Sequence, residues 1–299
     1  MHYSKLAGAA LLCALAMPAM AQVDTARGGP ISTLSLNPKP VSYSHQAITR
    51  NSAPTYTYRY FDDLYTVQTA SAANLALVPD PAGSGRQVFR TTVLKSDAKA
   101  ANGSRTEVTL KYEYIIEGLR WYAVSVYLPK DWVIDPNPTV LSQLHTSQKT
   151  VTVAPPVMLI ASGNDLQLSL HYNHRGTSAT ATNPATNANS GVQTIRVAKL
   201  ETGRWYCMVM RADWSYKPGV GSFTAWLNGS VVFDAKNSFN SYETWLGNYP
   251  KVGAYLPGTM FVDKRVVFAD FIHLGGPSST YEMMAKLTPC GVTPQPVNM

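Results

Sequence analysis

The amino-acid sequence predicts an all-β protein: a β-jelly-roll sandwich of two antiparallel sheets, concanavalin-like, with one short C-terminal helix. Three observations carry that expectation. From Tyr56 onward the chain repeats short runs in which β-branched and aromatic residues alternate with polar ones, punctuated by Gly, Pro, Asn and Asp. Two pairs of runs flank hairpin signals, Gly163-Asn164-Asp165 and Asn228-Gly229, and Asn-Gly suits the left-handed backbone of a tight turn. No repeat at solenoid or propeller spacing is visible, which leaves stacked sheets as the way to bury so many half-apolar strands.

The elements follow in chain order. Residues 1–21 read as an export signal: Lys5 supplies the positive start, Leu6 to Ala19 is a short apolar run, and Ala19-Met20-Ala21 is a small-x-small cleavage site. The run is too short to span a bilayer, and Leu12 ahead of Cys13 argues against a lipoprotein signal. The mature chain is therefore expected to begin near Gln22 and to be secreted or periplasmic, by a bacterial Sec-type route. Residues 22–55, rich in Ser, Thr, Pro and Asn, are expected to form an irregular leader, and residues 56–299 one domain. Within it Val108, Leu110, Tyr112 and Tyr114 alternate with Glu107, Thr109, Lys111 and Glu113, giving an apolar and a polar face. Trp121 to Leu128 follows as a strand. Met158 to Ala161 with Leu166 to Tyr172, and Phe223 to Leu227 with Val231 to Asp234, make the two hairpins, while Trp205 to Ala212 and Arg265 to Leu274 are long enough for central strands. Thr177 to Gly191, a run of Thr, Ala, Asn and Ser, is expected to be a mobile loop. Ser279-Thr280-Tyr281-Glu282 has the spacing of a capping box before a helix over Met283 to Leu287.

Composition narrows the function classes. The formal charge is +7 and falls to +6 once Lys5 is removed, so the mature protein is basic, which suits an acidic substrate. Only Cys207 and Cys290 survive processing; a single disulfide and a buried free thiol at Cys207 both fit, and no spacing suggests zinc or redox work. There is no Gly-rich phosphate loop and no serine-nucleophile elbow.

Three short segments place chemically capable residues at period-two spacing. In Arg105-Thr106-Glu107 the Arg and Glu share a face. In Gln143-Leu144-His145 the leucine points to the core while Gln143 and His145 project together. In Tyr249-Pro250-Lys251-Val252-Gly253-Ala254-Tyr255 the residues Tyr249, Lys251, Gly253 and Tyr255 line one face. A sheet carrying all three would present a polar, cationic groove. These residue types meet the needs of β-elimination on a uronate. The C5 proton beside a carboxylate is only weakly acidic, so cationic and hydrogen-bonding groups such as Arg105 and Gln143 must first offset the negative charge. His145 or Tyr255 can then take the proton, and Tyr255 can donate one to the departing O4.

Taken together and in this order, the segments resemble the pattern of the jelly-roll polysaccharide lyases: Arg-Ser/Thr-Glu, then Gln-Ile/Val/Leu-His, then Tyr-x-Lys-x-Gly-x-Tyr. That superfamily holds family 7 alginate lyases, glucuronan lyases and heparin lyase I-like enzymes. The resemblance runs from about Tyr60 to Leu274 and includes Tyr127-Leu128-Pro129, Gly203-Arg204-Trp205 and Ala225-Trp226-Leu227-Asn228-Gly229. It implies that Arg105 and Gln143 bind and neutralise the carboxylate, that His145 is a base, and that Tyr255 is the acid or both acid and base. Lys251 contacts the substrate in this reading, with Glu107 and Tyr249 also among the substrate-binding residues. Thr109 stands where alginate lyases often have a second Arg, Pro250 replaces the usual aromatic, and Pro257 stands where Gln is often found. These departures favour the glucuronan and heparin lyase I-like branches over alginate. Those branches include both outcomes: on glucuronate or mannuronate Tyr255 can act as acid and base while His145 mainly orients the carboxylate, and on guluronate or iduronate His145 is the base and Tyr255 the acid. The motif does not choose between them, and the expectation taken is the glucuronate-type one.

Other constellations point elsewhere only weakly. His171 and His174 fall on opposite faces of a strand and read as surface residues, not a metal pair, and Asp270 and His273 belong to the last strand and its end. The expected partner is an anionic polysaccharide, with no nucleic acid, no membrane and no cofactor; calcium is possible but not indicated, and a monomer is expected. Two alternatives stand beside the lyase: a non-catalytic carbohydrate-binding protein on the same fold, and a β-sandwich glycoside hydrolase, which needs paired carboxylates that the sequence does not offer in a recognisable cluster.

Overall fold

The computed structural model describes residues 46–50, 53–60, 63–101, 103–110, 114–147, 153–173, 190–217, 219–237, 240–242, 247–294 and 298. Seventeen strands and one short α-helix follow one another: β1 (Gln46–Arg50), β2 (Ala53–Tyr60), β3 (Asp63–Thr69), β4 (Leu75–Pro79), β5 (Gln87–Leu94), β6 (Ser104–Leu110), β7 (Gly118–Leu128), β8 (Thr139–Ser147), β9 (Val157–Ser162), β10 (Asp165–Asn173), β11 (Ser190–Lys199), β12 (Arg204–Trp214), β13 (Ser222–Leu227), β14 (Ser230–Ala235), β15 (Gly247–Leu256), β16 (Lys264–Ala269), β17 (His273–Gly275) and α1 (Tyr281–Ala285). They form a nine-stranded sheet in the order β1-β2-β3-β6-β15-β8-β9-β10-β11, and an eight-stranded sheet in the order β14-β13-β12-β7-β16-β5-β4 with β17 also on β7. The sheets are antiparallel, and the chain is the β-jelly-roll sandwich its alternation predicts.

The core explains the alternation. Val67, Val108, Leu144, Leu159, Leu168, Val252 and Ala254 from the first sheet meet Phe89, Val124, Val126, Met208, Met210, Phe223 and Val267 from the second in one buried cluster. Burial of these faces supplies most of the driving force, at roughly 25 cal/mol per Å² of apolar surface. The second sheet is covered on its other side as well. Trp121, Ala123 and Val209 pack under Met284 and Ala285 of α1, and Val88, Tyr127, Trp205 and Cys207 form a patch beside Cys290. The outer face of the first sheet is thus the one left for polar residues.

Both hairpins form. Asn228 and Gly229 take φ of 47° and 93° between β13 and β14, the paired left-handed conformation of a tight hairpin turn. Cys207 and Cys290 form a disulfide across 83 positions, tying the C-terminal segment to β12.

The structure corrects three expectations. Among the described residues strands begin at Gln46, ten positions ahead of the boundary placed at Tyr56, since β1 pairs β2 from Gln46↔Thr57 to Arg50↔Ala53. An edge strand is defined by its ladder and needs no apolar alternation, so composition reads it as leader. Arg265 to Leu274 is two strands, not one: on β7, Ala269 faces Val126 while His273 faces Ala123, so four steps on one chain match three on the other and the extra residue breaks the ladder at Asp270 to Ile272. The helix is capped one residue later than the capping box suggests, because the Thr280 side chain, not that of Ser279, accepts from the Met283 N–H. The expected loop from Thr177 lies outside the described residues up to position 189, with Ser190 and Gly191 opening β11; the export signal, and Lys111 to Glu113, also lie outside them.

Candidate active site

Three strands far apart in sequence are neighbours in the first sheet, where β15 lies between β6 and β8. Register then decides which side chains meet. Lys251 is opposite Thr109 on β6 and Gln143 on β8; Gly253 is opposite Glu107; Tyr255 is opposite Arg105; Tyr249 is opposite His145. Directly opposed residues of an antiparallel pair share a face. Val108, Leu144, Val252 and Ala254 enter the core, so Arg105, Glu107, Gln143, His145, Tyr249, Lys251 and Tyr255 all lie on the face turned away from the second sheet.

Glycine makes two of these approaches possible. Gly253 has φ of 138°, and a Cβ there would lie 2.3 Å from the Thr106 carbonyl oxygen, so only glycine lets β15 sit this close to β6. A Cβ on Gly103 would lie 2.5 Å from the Tyr255 ring and 2.9 Å from the Arg105 guanidinium, so the empty space at Gly103 is what both side chains occupy.

Glu107 is the hub of a buried cluster. Its carboxylate accepts from Arg105 at 3.0 Å, from the Lys251 ammonium at 3.1 Å and from the Gln143 amide. Glu107, Gln143 and Lys251 are each at most 3% exposed, and Arg105 is 8% exposed. Burial works against the Glu107 carboxylate, but Lys251, Arg105 and Gln143 outweigh it and hold the carboxyl below its usual range. Burial likewise pushes the Lys251 ammonium below its usual range, with Glu107 opposing. Two cations face one anion, so the cluster carries one positive charge in excess. Two of its buried polar atoms, Arg105 Nε and Gln143 Oε1, have no hydrogen-bond partner among the described residues. Since a carboxylate only accepts, the Gln143 amide must turn its N–H toward Glu107 and its oxygen away.

His145 and Tyr255 stand at the two ends of the β15 segment. The His145 Nδ1 lies 2.6 Å from the Thr146 carbonyl, which accepts only, so in the neutral ring the proton sits on Nδ1 and Nε2 keeps its lone pair. Burial, reinforced by the Lys251 charge, pushes the imidazole pKa down to about 3. The ring lies 5.3 Å from that of Tyr249, which in turn meets Tyr114 edge-on at 4.8 Å. Burial, with Tyr114 and Glu107, raises the Tyr249 phenol far above its ordinary range. At the other end the Arg105 guanidinium lies 3.8 Å over the Tyr255 ring, a cation–π contact, and the Tyr255 hydroxyl makes no hydrogen bond among the described residues.

All seven candidate residues therefore share one face, and Arg105, Glu107, Gln143 and Lys251 join in one hydrogen-bonded cluster. His145 and Tyr255 do not touch each other; the cluster separates them. Gln68 and Gly103 escaped the sequence reading. Gln68 has the outward parity of β3 beside inward Tyr65 and Val67, a visible signal, but only register places it opposite Glu107. Thr109 and Pro250, two departures from the resembled pattern, are bonded to each other, the hydroxyl donating to the Pro250 carbonyl at 2.5 Å. Elsewhere His171 bonds Ser169 at 2.9 Å, and His174 lies outside the described residues. Asp270 sits in the break between β16 and β17, paired with Arg86 at 3.0 Å. Among the described residues there is no group of three or more His, Cys, Asp and Glu that could hold a metal ion.

A family model described as polysaccharide lyase matches residues 57–273. Among solved structures the chain is similar to an endo-β-1,4-glucuronan lyase from the fungus Trichoderma reesei, with 17% identity, a TM-score of 0.59, and coverage of 82% of this chain and 98% of that one. It also matches an alginate lyase of polysaccharide lyase family 7, at 12% identity and TM-score 0.49 over 71% of this chain and 93% of that one. An alginate lyase from Pseudomonas aeruginosa matches at 12% identity and TM-score 0.46, over 71% of this chain and 97% of that one. No curated protein matches the chain.

Proposed function

The chain belongs to the polysaccharide lyase family that spans its residues 57–273, and from that premise we propose that it cleaves a uronate-containing acidic polysaccharide by β-elimination at the face built around Glu107. The carrying observation is the buried cluster with one positive charge in excess and unpartnered polar atoms. A single substrate carboxylate completes it electrostatically; a binding-only protein would use that charge but leave His145 and Tyr255 without a task, and a hydrolase would need paired carboxylates.

In this reading the carboxylate of the +1 sugar lies against Arg105 and the third N–H of Lys251, whose other two protons are taken by Gln68 and Glu107. Glu107 does not touch substrate; it holds the donors in place. The Gln143 oxygen accepts from a sugar hydroxyl. Neutralising the carboxylate stabilises the negative charge that develops as the C5 proton leaves, the largest contribution such sites make. The C5–H electron pair becomes the C4=C5 double bond, the C4–O4 bond breaks, and the departing O4 takes a proton. Tyr255, with its hydroxyl unengaged, serves as acid, and in a same-side elimination also as base. An imidazole with a pKa of about 3 is a weak base at neutral pH, which supports an orienting role for His145. The Cys207–Cys290 disulfide supports the further proposal that the protein works in the periplasm or outside the cell, as the export signal of residues 1–21 indicates.

The test is incubation with a panel of glucuronan, alginate, heparin-type and bacterial exopolysaccharides, following the ultraviolet absorbance of the conjugated double bond. Growth of that band with one of them is the expected result; new reducing ends without the band would mean hydrolysis and sink the reading. His145→Ala then decides the stereochemistry, partial loss on glucuronan or mannuronate supporting same-side elimination.

A further inference from the structure

Gln68 on β3 belongs to none of the three motif segments, yet it meets both cations of the cluster. Its Oε1 accepts from the Lys251 ammonium at 2.6 Å and from Arg105 at 3.4 Å. Both partners can only donate, so the orientation of the amide is fixed: the oxygen faces the cations and the Nε2 group, with two N–H donors, faces the other way. That group makes no hydrogen bond among the described residues. Gln68 is only half-buried while Lys251 is 2% exposed, so the amide lies at the open side of the cluster. Directly across the ladder stands Glu107, which grips the same two cations from beneath. The two residues are nearly the same shape, but one is charged and the other is not.

We propose that Gln68 is a specificity-determining residue that sets the charge the site accepts: it holds Lys251 and Arg105 in place without neutralising them, leaving their excess positive charge for one substrate carboxylate, and donates its own amide N–H to that sugar. A carboxylate at this position would supply the missing negative charge from within the protein and exclude the substrate's. The proposal rests on the lyase reading for the identity of the ligand, but its charge logic concerns any uronate at this face.

Gln68→Glu and Gln68→Met, compared with the unmodified protein on the preferred polyuronate and on its methyl ester, test it. Gln68→Glu is expected to raise KM on the acidic polymer by about 10- to 100-fold, the scale of a like charge placed against a bound anion, and by only about 3- to 10-fold on the neutral ester, where the donated N–H alone is lost. Gln68→Met removes acceptor and donor without adding charge and is expected to raise KM by about 3- to 10-fold on both polymers. The melting temperature of each variant should stay at or above that of the unmodified protein minus a few degrees, which separates selectivity from misfolding. Equal KM for Gln68→Glu and the unmodified protein on the acidic polymer, or an equal loss on acid and ester, overturns the proposal. Calorimetric titration with acidic and esterified oligouronides reads the same discrimination without turnover. If no polymer yields the double-bond band, the lyase reading fails, while preserved acid-over-ester binding that Gln68→Glu abolishes still upholds the role of Gln68.

Discussion

At the scale of single residues the site is a problem in charge balance. Glu107 is held anionic by two cations and an amide, and the cations are held apart from water by burial, so the cluster is rigid before substrate arrives. The Tyr255 ring lies under the Arg105 guanidinium and against Gly103, and its hydroxyl makes no hydrogen bond among the described residues, so it contributes chemistry and little binding. Tyr255→Phe is therefore expected to lower kcat by about 100- to 10,000-fold while KM moves by less than about threefold. Steady-state kinetics on the preferred polyuronate checks this, and a variant with near-normal kcat would make Tyr255 a packing residue. Acid sensitivity follows from the same groups. His145 has a folded-state pKa of about 3 against an ordinary 6.5, and Glu107 lies below its ordinary 4.5. A depressed pKa means that the unfolded chain binds more protons in the window between the two values. The His145 contribution is thus complete above pH 6.5 and is lost as pH falls toward 3, and the Glu107 contribution is lost below 4.5. Melting temperatures measured from pH 7 downward should decline through this window, and His145→Asn should flatten its upper part. A flat profile in the unmodified protein would contradict the placement of both groups.

At the scale of elements, β15 does the assembling. It carries Tyr249, Lys251 and Tyr255 between β6 and β8, and its approach to β6 depends on Gly253 and on the space left by Gly103. Gly103→Ala inserts a methyl 2.5 Å from the Tyr255 ring while leaving the core untouched. A displacement near 1 Å of a reacting group costs on the order of 100-fold, so kcat should fall by about 10- to 100-fold with little change in melting temperature. Unchanged kcat would show that the Tyr255 ring can move without consequence. The C-terminal segment is a separate element with a separate task. It covers the outer face of the second sheet and is clamped by the disulfide to β12, where the Asn228 side chain accepts from the Cys207 N–H at 2.7 Å and donates to the Trp205 carbonyl at 3.1 Å. Paired Cys207→Ser and Cys290→Ser changes should cost about 2–4 kcal/mol of stability in denaturant titration while kcat of the folded protein holds. Loss of kcat in the folded variant would tie this face to the site, contrary to its position across the sandwich.

At the scale of the whole molecule, the two sheets divide the labour. The second is covered on part of its outer face as well, under α1 and beside the disulfide, which makes it a backing, and the first is left with a polar outer face on which the buried cations collect. The chain's net charge of +7 adds a long-range attraction for a polyanion. That attraction is screened over about 8 Å at physiological ionic strength, whereas the contacts of the buried cluster are not. Raising salt from low to molar concentration should therefore increase KM by about tenfold or more with kcat nearly constant. A kcat that falls in step with KM would place the salt effect in the chemistry instead of the encounter.

Much of this was legible in the chain because strands announce themselves by parity. The alternation around Val108 and Leu110, the Asn228-Gly229 turn and the outward pairs Arg105 with Glu107 and Gln143 with His145 are local facts, fixed by a side-chain period of two that any extended segment must obey. Locality is also where the reading stopped. β1 lacked the apolar period because an edge needs only a ladder, and the bulge at Asp270 is visible only against the register of β7. Gln68 looked like any outward polar residue until the order β3-β6-β15 placed its amide against Lys251. The sequence by itself determined which faces are apolar and which residues carry chemistry, since both depend on residue type and spacing. The tertiary structure alone decided which of those residues meet, that Glu107 holds the cations instead of facing solvent, and that His145 and Tyr255 lie at opposite ends of the cluster, because register between strands up to 150 positions apart is set by the packing of the whole sandwich and by no local rule.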